Sequence, residues 1–506
     1  MLNSPNLKDA TRIGRSSVPK APEFQELYDF DREAKTIIEA TFPYETQVHR
    51  AHVVMLSERS ILTVEEAAAI LRGLTIVDEK ANSDVSLRTY LPYEAALKRI
   101  AGPVGGKMHL GRSRNDLANT VGRMFLRDQL NRTIEAIVLL RQAVVEKAAE
   151  HLQTVMVVYT QRKEAQPITL AHYLMAISES LSKSIARYEQ LYVRMNQCPL
   201  GSAATAGTGW PLDRTRTSHL LGFDALVVNT IEGVAGWDHV AEFAANNAIY
   251  LSGLSRLASE IQLWTTDEYQ IAELDASFAG ASSIMPQKKN PDSLERIRQV
   301  AASSMGPLVA ILTSLNAVEY QYSAARVGLE PRSLDSLIAA THAMSGVVRT
   351  LHANELQMLR YATENFATMT DLTDAVVREA GLDYREAHEV IARVVDTAKE
   401  QRKTADQIDM DMVQRAAMDQ VGHELKILPQ AVFDALDPMK NVRRRDGIGG
   451  PAPAAVQRTI DDALAEIGDH MTRLDLRRQR LSASADELSQ AVATIIDNPL
   501  TEPAGH

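Results

Sequence analysis

Between residues 279 and 291 the chain reads AGASSIMPQKKNP, which sets the serine pair Ser282 and Ser283 a short step before the lysine pair Lys288 and Lys289. Small residues and prolines make the stretch unsuited to a regular helix or strand. A serine is a poor base at its ordinary pKa and becomes one only where cations and N–H donors hold its alkoxide. Lys288 or Lys289 can supply the charge, and Asn290 offers both a donor and an acceptor. Gly280 and Ala281 permit close backbone approach and movement, and Pro286 and Pro291 fix the exit of the loop. Such a segment can close on a carboxylate and bring a serine with it. By composition alone it is also a lysine-bearing surface turn.

Three further polar islands interrupt the text: GGKMHLGRSRNDLANT (105–120), VYTQRKEAQPITLAHYL (158–174) and GSAATAGTGWPLDR (201–214). Each mixes small residues with hydroxyls, amides or cations, the make-up of loops that gather N–H groups around an anion. Taken alone, any one of them reads as a helix-capping loop. Four of them at the ends of long helices can be gathered at one place. His109 and His172 lie in these islands, and each by itself reads as a hydrogen-bonded structural residue rather than an acid or base. No GxxxxGK[ST], HExxH, CxxC or post-strand GxGxxG occurs, so neither a metal nor a nucleotide cofactor is expected.

The elements that must position the islands are helices. No proline occurs from 104 to 166, 168 to 198, 212 to 285 or 332 to 428, which leaves room for long ones. Leu126, Leu130, Thr133, Ile137, Leu140 and Val144 follow a helical period, as do Tyr250, Leu254, Leu257, Ile261 and Trp264. Strand-type alternation is scarce. The expected fold is all-α, with a central bundle of long helices packed on a heptad-like seam and shared in an oligomer. Punctuation divides the chain into residues 1–115, with shorter helices broken by FPYE and AGPVGGK, a long-helix core at 116–365, and shorter helices at 366–506 ending in a frayed NPLTEPAGH tail.

A formal net charge of −11 disfavours nucleic acid and anionic membrane surfaces as partners, and Arg443–Arg445 is too short a basic run to change that. Cys198 is the only cysteine, which suits a reducing compartment. No stretch approaches the roughly 18 apolar residues of a membrane span, and MLNSPNLKDATRIGRSS has no apolar signal core. A soluble, cytoplasmic protein is expected.

SSIMPQKKNPD closely resembles the signature of the fumarase/aspartase superfamily in the form used by argininosuccinate lyases. GRSRND (111–116), AQPITLAHYL (165–174), GSAATAGT (201–208), TDLTDAVV (370–377) and LDPMKNV…GGPAPAAV resemble further blocks of that family in the same order, from about Gly14 to about Ile460. The resemblance implies a three-domain helical homotetramer with composite active sites, needing no cofactor. It implies a reaction that breaks a C–N or C–O bond beta to a carboxylate and releases fumarate. Carried over by motif, Ser282 would remove the Cβ proton, while Lys288 and Asn290 would hold the carboxylate that becomes doubly charged. Ser113, Asn115 and Thr160, with Arg114 nearby, would bind the fumarate part, and Gln161, Ser283 and Tyr322 would complete the substrate contacts.

The chain departs from the family's pattern at the leaving-group end. Thr160-Gln161 stands where argininosuccinate lyases have Thr-His, and Ser83-Asp84-Val85-Ser86 where they have Glu-Asp-Ile-His. Ala281 replaces the glycine before the serine, and after Tyr322 a Gln-Glu-Asp-Lys run is replaced by SAARVGLEPR. Glutamine cannot act as an acid near neutral pH. Expelling a strongly basic guanidine needs a positioned acid, whereas a protonated alkylamine leaves with less help. The expected substrate is therefore an N-substituted aspartate bearing an amine, an aminopolycarboxylate such as ethylenediamine-N,N′-disuccinate, which a relative with that chemistry cleaves. Argininosuccinate and a non-catalytic, crystallin-like role are the alternatives. Arg326 and Arg332 read either as ligands for a distal carboxylate or as ordinary surface arginines.

Overall fold

The computed structural model describes residues 21–23, 26 and 32–497; the MLNSPNLKDATRIGRSS segment and the NPLTEPAGH tail lie outside them. Helix α1 (Arg32–Glu58) runs through FPYE, where the sequence suggested a break. Pro43 and Glu39, whose carbonyl loses its partner to the proline, are both exposed, so the unpaired carbonyl lies on the solvent side of the helix. The opposite face carries Val48, Val53 and Leu56 into the core, and that packing outweighs the local penalty. Helices α2 (Val64–Ala81) and α3 (Tyr90–Ala101) complete an N-terminal core around Ile70, Leu74 and Leu97. Here the expected break holds: Gly102 turns the chain with φ +74° at the end of α3.

Helix α4 (Arg114–Glu150) is the longest of the central bundle, and its six seam residues are all buried. It is capped by a reciprocal Ser113–Asp116 box. A β-hairpin follows, β1 (Val155–Thr160) with β2 (Lys163–Thr169), where the sequence showed only a non-periodic island. Helix α5 (Leu170–Met195) then returns antiparallel to α4: Leu170 N–H bonds Thr154 beyond the end of α4, and Arg123 near its start donates to the carbonyls of Arg194 and Met195. Helix α6 (Asp238–Trp264) reverses again, with Arg194 and Glu242 paired at one end and Tyr173 edge-on to Trp264 at the other.

Helices α7 (Asp292–Ser303), α8 (Met305–Asn316) and α9 (Pro331–Thr350) pack beside α6, and Tyr250 shares a hydrogen bond with Thr341 of α9. A separate hydrophobic cluster joins α10 (Met369–Ala380), α11 (Tyr384–Glu400), α12 (Met410–Val421) and α13 (Pro429–Leu436). Helix α14 (Pro453–Asp497) leaves that cluster. It descends along α4 and α5 through the Arg141–Glu466 and Arg477–Glu189 ion pairs, and reaches the N-terminal core with Val492, Ile495 and Ile496. The segment expected as one C-terminal part thus contains two differently packed pieces. Among the described residues the remaining strands are two-residue ladders, and no helix is long and apolar enough to cross a membrane.

The bundle gathers the polar islands at two ends. Residues 113–119, 201–204, 232–237 and 322–326 meet at the start of α4 and α6. The hairpin, residues 265–290 and residues 352–354 meet at the far end of α6. With 27 residues in α6, these ends are separated by about 40 Å at 1.5 Å per residue.

Candidate active site

At the first end, Asp116 is the tie between two islands. It is fully buried; one carboxylate oxygen accepts the Ser113 N–H at 3.0 Å, and the other accepts those of Gly201 and Ala203 at 3.0 and 2.8 Å. Burial pushes its pKa up while these N–H donors oppose the shift. The bonds hold a left-handed loop in place, with φ +89° at Gly201 and +51° at Ala203. A side chain at Gly201 would also collide with Arg214, whose Cγ lies 2.7 Å from the position of a Cβ. Ser113 and Asn115 stay half-buried and Arg114 exposed at the N-terminus of a 37-residue helix, where the dipole and free N–H groups favour an anion.

The second end carries the serine loop. Gly280 pairs with Asn290 and Ala281 with Lys289, so a two-residue antiparallel ladder closes a loop spanning 282–288. Lys288 N–H bonds the Met285 carbonyl at 3.1 Å, forming a turn with Pro286 at its second position. Ser282 Oγ accepts the backbone N–H of Met285 at 3.1 Å and of Ile284 at 3.4 Å. Both donors would strengthen on an alkoxide, which is what a serine base requires.

The glycine at 280 serves close approach: a Cβ there would lie 1.8 Å from Asp292 Oδ2 at the start of α7. Lys289 is paired with Glu273, whereas exposed Lys288 has no ion pair recorded among the described residues. Ser283 is exposed and Asn290 half-buried. Lys288, Lys289, Glu273 and His352 share a cavity of about 850 Å³ with Gln262 and Thr265 at the end of α6.

Thr160 and Gln161 are exposed at the tip of the hairpin, at this same end, since the Tyr159 ring lies 5.9 Å from that of Tyr269. Gln161 and Arg162 both have positive φ, 51° and 60°, the geometry of a two-residue type I′ turn. Neither is glycine, so the tip holds local backbone strain of about 1–3 kcal/mol per residue.

Tyr322 and Arg326 belong to the first end, against Val234, Ala235 and Trp237, whereas Arg332 is exposed on α9. The island histidines are not free acids. His109 accepts or donates at 2.6 Å to Tyr90 and is pushed down to about 4 by burial and by Arg112, so it is neutral at pH 7. Half-buried His172 is also lowered by burial and faces a separate cavity of about 270 Å³ beside Arg141 and Glu466. Cys198 is buried and free, and burial raises its thiol to about 12, which leaves it inert. Among the described residues no group of three or more His, Cys, Asp or Glu could hold a metal.

One protomer therefore joins Ser113, Arg114, Asn115 and Tyr322 at one end of the bundle, and Thr160, Gln161, Ser282, Ser283, Lys288 and Asn290 at the other. Asp116, Glu273, Asp292 and Trp237 touch these segments without having been singled out by sequence reasoning. Asp116 and Asp292 stood in the quoted blocks GRSRND and KKNPD, but only their contacts reveal what they hold.

This fold and these two loop clusters define a lyase of the fumarase/aspartase type. Residues 63–306 match the family described as Lyase, and residues 366–443 that described as Argininosuccinate lyase C-terminal. The argininosuccinate lyase of Methanosarcina acetivorans is 34% identical over 90% of this chain and 92% of its own length. The chain belongs to the argininosuccinate lyase family. A crystal structure of EDDS lyase in complex with formate is 67% identical, covers 97% of this chain and 99% of its own, and superposes with a TM-score of 0.90. An EDDS lyase variant with bound fumarate is equally similar, at 67% identity over 96% and 98% and a TM-score of 0.90.

Proposed function

We propose that this protein is a carbon–nitrogen lyase that releases fumarate from an N-substituted aspartate, with the aminopolycarboxylate ethylenediamine-N,N′-disuccinate (EDDS) as the substrate class. The observation that carries this reading is the 67% identity to EDDS lyase across nearly the whole chain, against 34% to an argininosuccinate lyase. Gln161 at the hairpin tip supports it, because an amine leaves without the acid that a guanidine needs.

Ser282, as its alkoxide, takes the Cβ proton and becomes a hydroxyl. The electron pair becomes the C=C bond of fumarate, and the C–N bond breaks with its electrons leaving on the amine nitrogen. Before that cleavage the neighbouring carboxylate holds two negative charges, and Lys288 and Asn290 stabilise them. One such donor is worth roughly 3–4 kcal/mol. Ser113, Arg114, Asn115 and Thr160 hold the fumarate part, with Gln161 and Tyr322 on the amine side and Ser283 as a further substrate contact. The step as written calls for no cofactor.

Because the two clusters lie at opposite ends of one protomer, the site is assembled between copies of a homotetramer. Exposed apolar residues support this: α8 buries only Ile311 while Met305, Val309 and Leu312 face outward, and Ile249 does so on α6. The boundaries at 115 and 365, with α14 bridging them, describe its three domains. The single buried, free cysteine supports a cytoplasmic setting.

Offering EDDS and argininosuccinate separately and following fumarate by its ultraviolet absorbance tests the proposal. The expected result is a higher kcat/KM for EDDS. The second reading, favoured by the argininosuccinate lyase relative, predicts the opposite order.

A further inference from the structure

We propose that Arg326 is a positioning residue that braces Tyr322 and Trp237 and ties them to the Ser113–Asn115 segment, rather than a ligand for a distal carboxylate. This rests on the reading that Tyr322 faces the substrate. The guanidinium carbon of Arg326 lies 4.4 Å from the centroid of the Trp237 ring and 5.0 Å from that of Tyr322, both within the range of cation–π attraction. NH1 donates to the carbonyls of Val234 and Ala235 at 3.0 and 3.2 Å, and Nε donates to Ser323 at 3.3 Å. Trp237 is itself pinned, its Nε1–H bonding the Val327 carbonyl at 2.9 Å.

The same Val234 carbonyl receives a second donor. Asn119 Nδ2, buried on α4, reaches it at 3.4 Å and also donates to the Asn115 carbonyl at 2.8 Å. Tyr322, Arg326, Val234, Asn119 and Asn115 thus form a continuous run of contacts inside one protomer. It joins the ring assigned to the amine side with the backbone of Asn115, the residue whose amide is assigned to fumarate.

The alternative role conflicts with this geometry. Arginine grips a carboxylate best through two parallel N–H groups on one edge. Arg326 has spent Nε on one edge and NH1 on the other, and only NH2 lacks a recorded bond among the described residues. Neither edge is free for a bidentate grip.

Arg326→Lys and Arg326→Met in the full-length, assembled enzyme separate the two roles. Lysine keeps the charge but can neither stack as a plane nor bridge two carbonyls. Three readouts are taken: kcat and KM for fumarate release from EDDS, the addition of methylamine to fumarate, and tryptophan emission. A brace predicts that both variants lose roughly 10–100-fold in kcat/KM, since a misplacement of about 1 Å has that cost. It also predicts losses on both substrates, with lysine no better than methionine, and a shifted emission that disappears in Trp237→Phe. Near-normal turnover in Arg326→Lys, with Arg326→Met impaired on EDDS alone, overturns the proposal in favour of a carboxylate ligand.

Unchanged emission in both variants also overturns it. If wild-type enzyme releases no fumarate from EDDS, the substrate reading fails, while the emission still decides the brace. Should Arg326→Lys not assemble, Asn119→Ser breaks the run at its other end. Wild-type emission and turnover in that variant overturn the proposal.

Discussion

The oxygen of Ser282 accepts the backbone N–H of Met285 at 3.1 Å, so the residue assigned as base already points at a donor that would hold its alkoxide. The Ile284 N–H at 3.4 Å adds a second. Replacing Ser282 by alanine removes the proton acceptor without touching any buried packing. The expected loss in kcat is at least ~100-fold, with the oligomer intact by size-exclusion chromatography. Turnover close to wild type in that variant would show that another group takes the proton.

The two lysines should behave differently. Lys289 is engaged with Glu273, while Lys288 is exposed on the loop. Lys288→Met should lower kcat by roughly 100–1,000-fold, the cost of one oxyanion donor. Lys289→Met should cost far less. Equal losses in steady-state kinetics would mean that the Lys289–Glu273 pair opens during turnover.

Gln161 sits in a left-handed conformation at the hairpin tip, and the SAARVGLEPR stretch after Tyr322 also departs from the sequence pattern of argininosuccinate lyases. Gln161→His alone should therefore leave argininosuccinate cleavage far below EDDS cleavage when both are followed by fumarate absorbance. Ordinary lyase rates on argininosuccinate in this variant would mean that one imidazole suffices to expel the guanidine.

Acid should weaken the fold through its buried imidazoles. His109 and His239 are each pushed down to about 4, by burial first and then by Arg112 and Arg123 respectively. In the unfolded chain each takes its proton near pH 6.5, so between pH 6.5 and 4 the unfolded state binds more protons and stability falls as pH falls. The contribution is complete above that window. Thermal scans across it should show a declining Tm, and His239→Gln should flatten the decline. The same slope in that variant and in wild type would remove His239 from the cause.

Much of the architecture was legible in the sequence. The period of Leu126 to Val144 and of Tyr250 to Trp264 predicted buried seams, and each of those residues is buried. FPYE misled because Pro43 lies on the solvent face, where a lost backbone bond is cheap and the packed face decides. The hairpin was hidden because a positive φ at Gln161 and Arg162 leaves no glycine or asparagine as its mark. The serine loop, its lysines and its amide could be read as chemistry from their types alone. That Lys289 is occupied by Glu273, or that Gly280 admits Asp292, depends on residues brought together by the ladder between Gly280 and Asn290. The separation of the two clusters by the length of α6 was likewise beyond the reach of local spacing.

Subunit mixing tests most directly the proposal that no single copy of the chain holds a complete site. Ser282→Ala lacks the proposed base at one end of the bundle, and Asn115→Leu lacks the proposed fumarate amide at the other. Each alone should be nearly inactive. Dissociated together and reassembled, they should recover a measurable fraction of wild-type fumarate release, because some sites in the mixed oligomer draw both ends from intact copies. Mixed oligomers that form, as shown by mass, yet stay as inactive as either parent would contradict a site shared between copies.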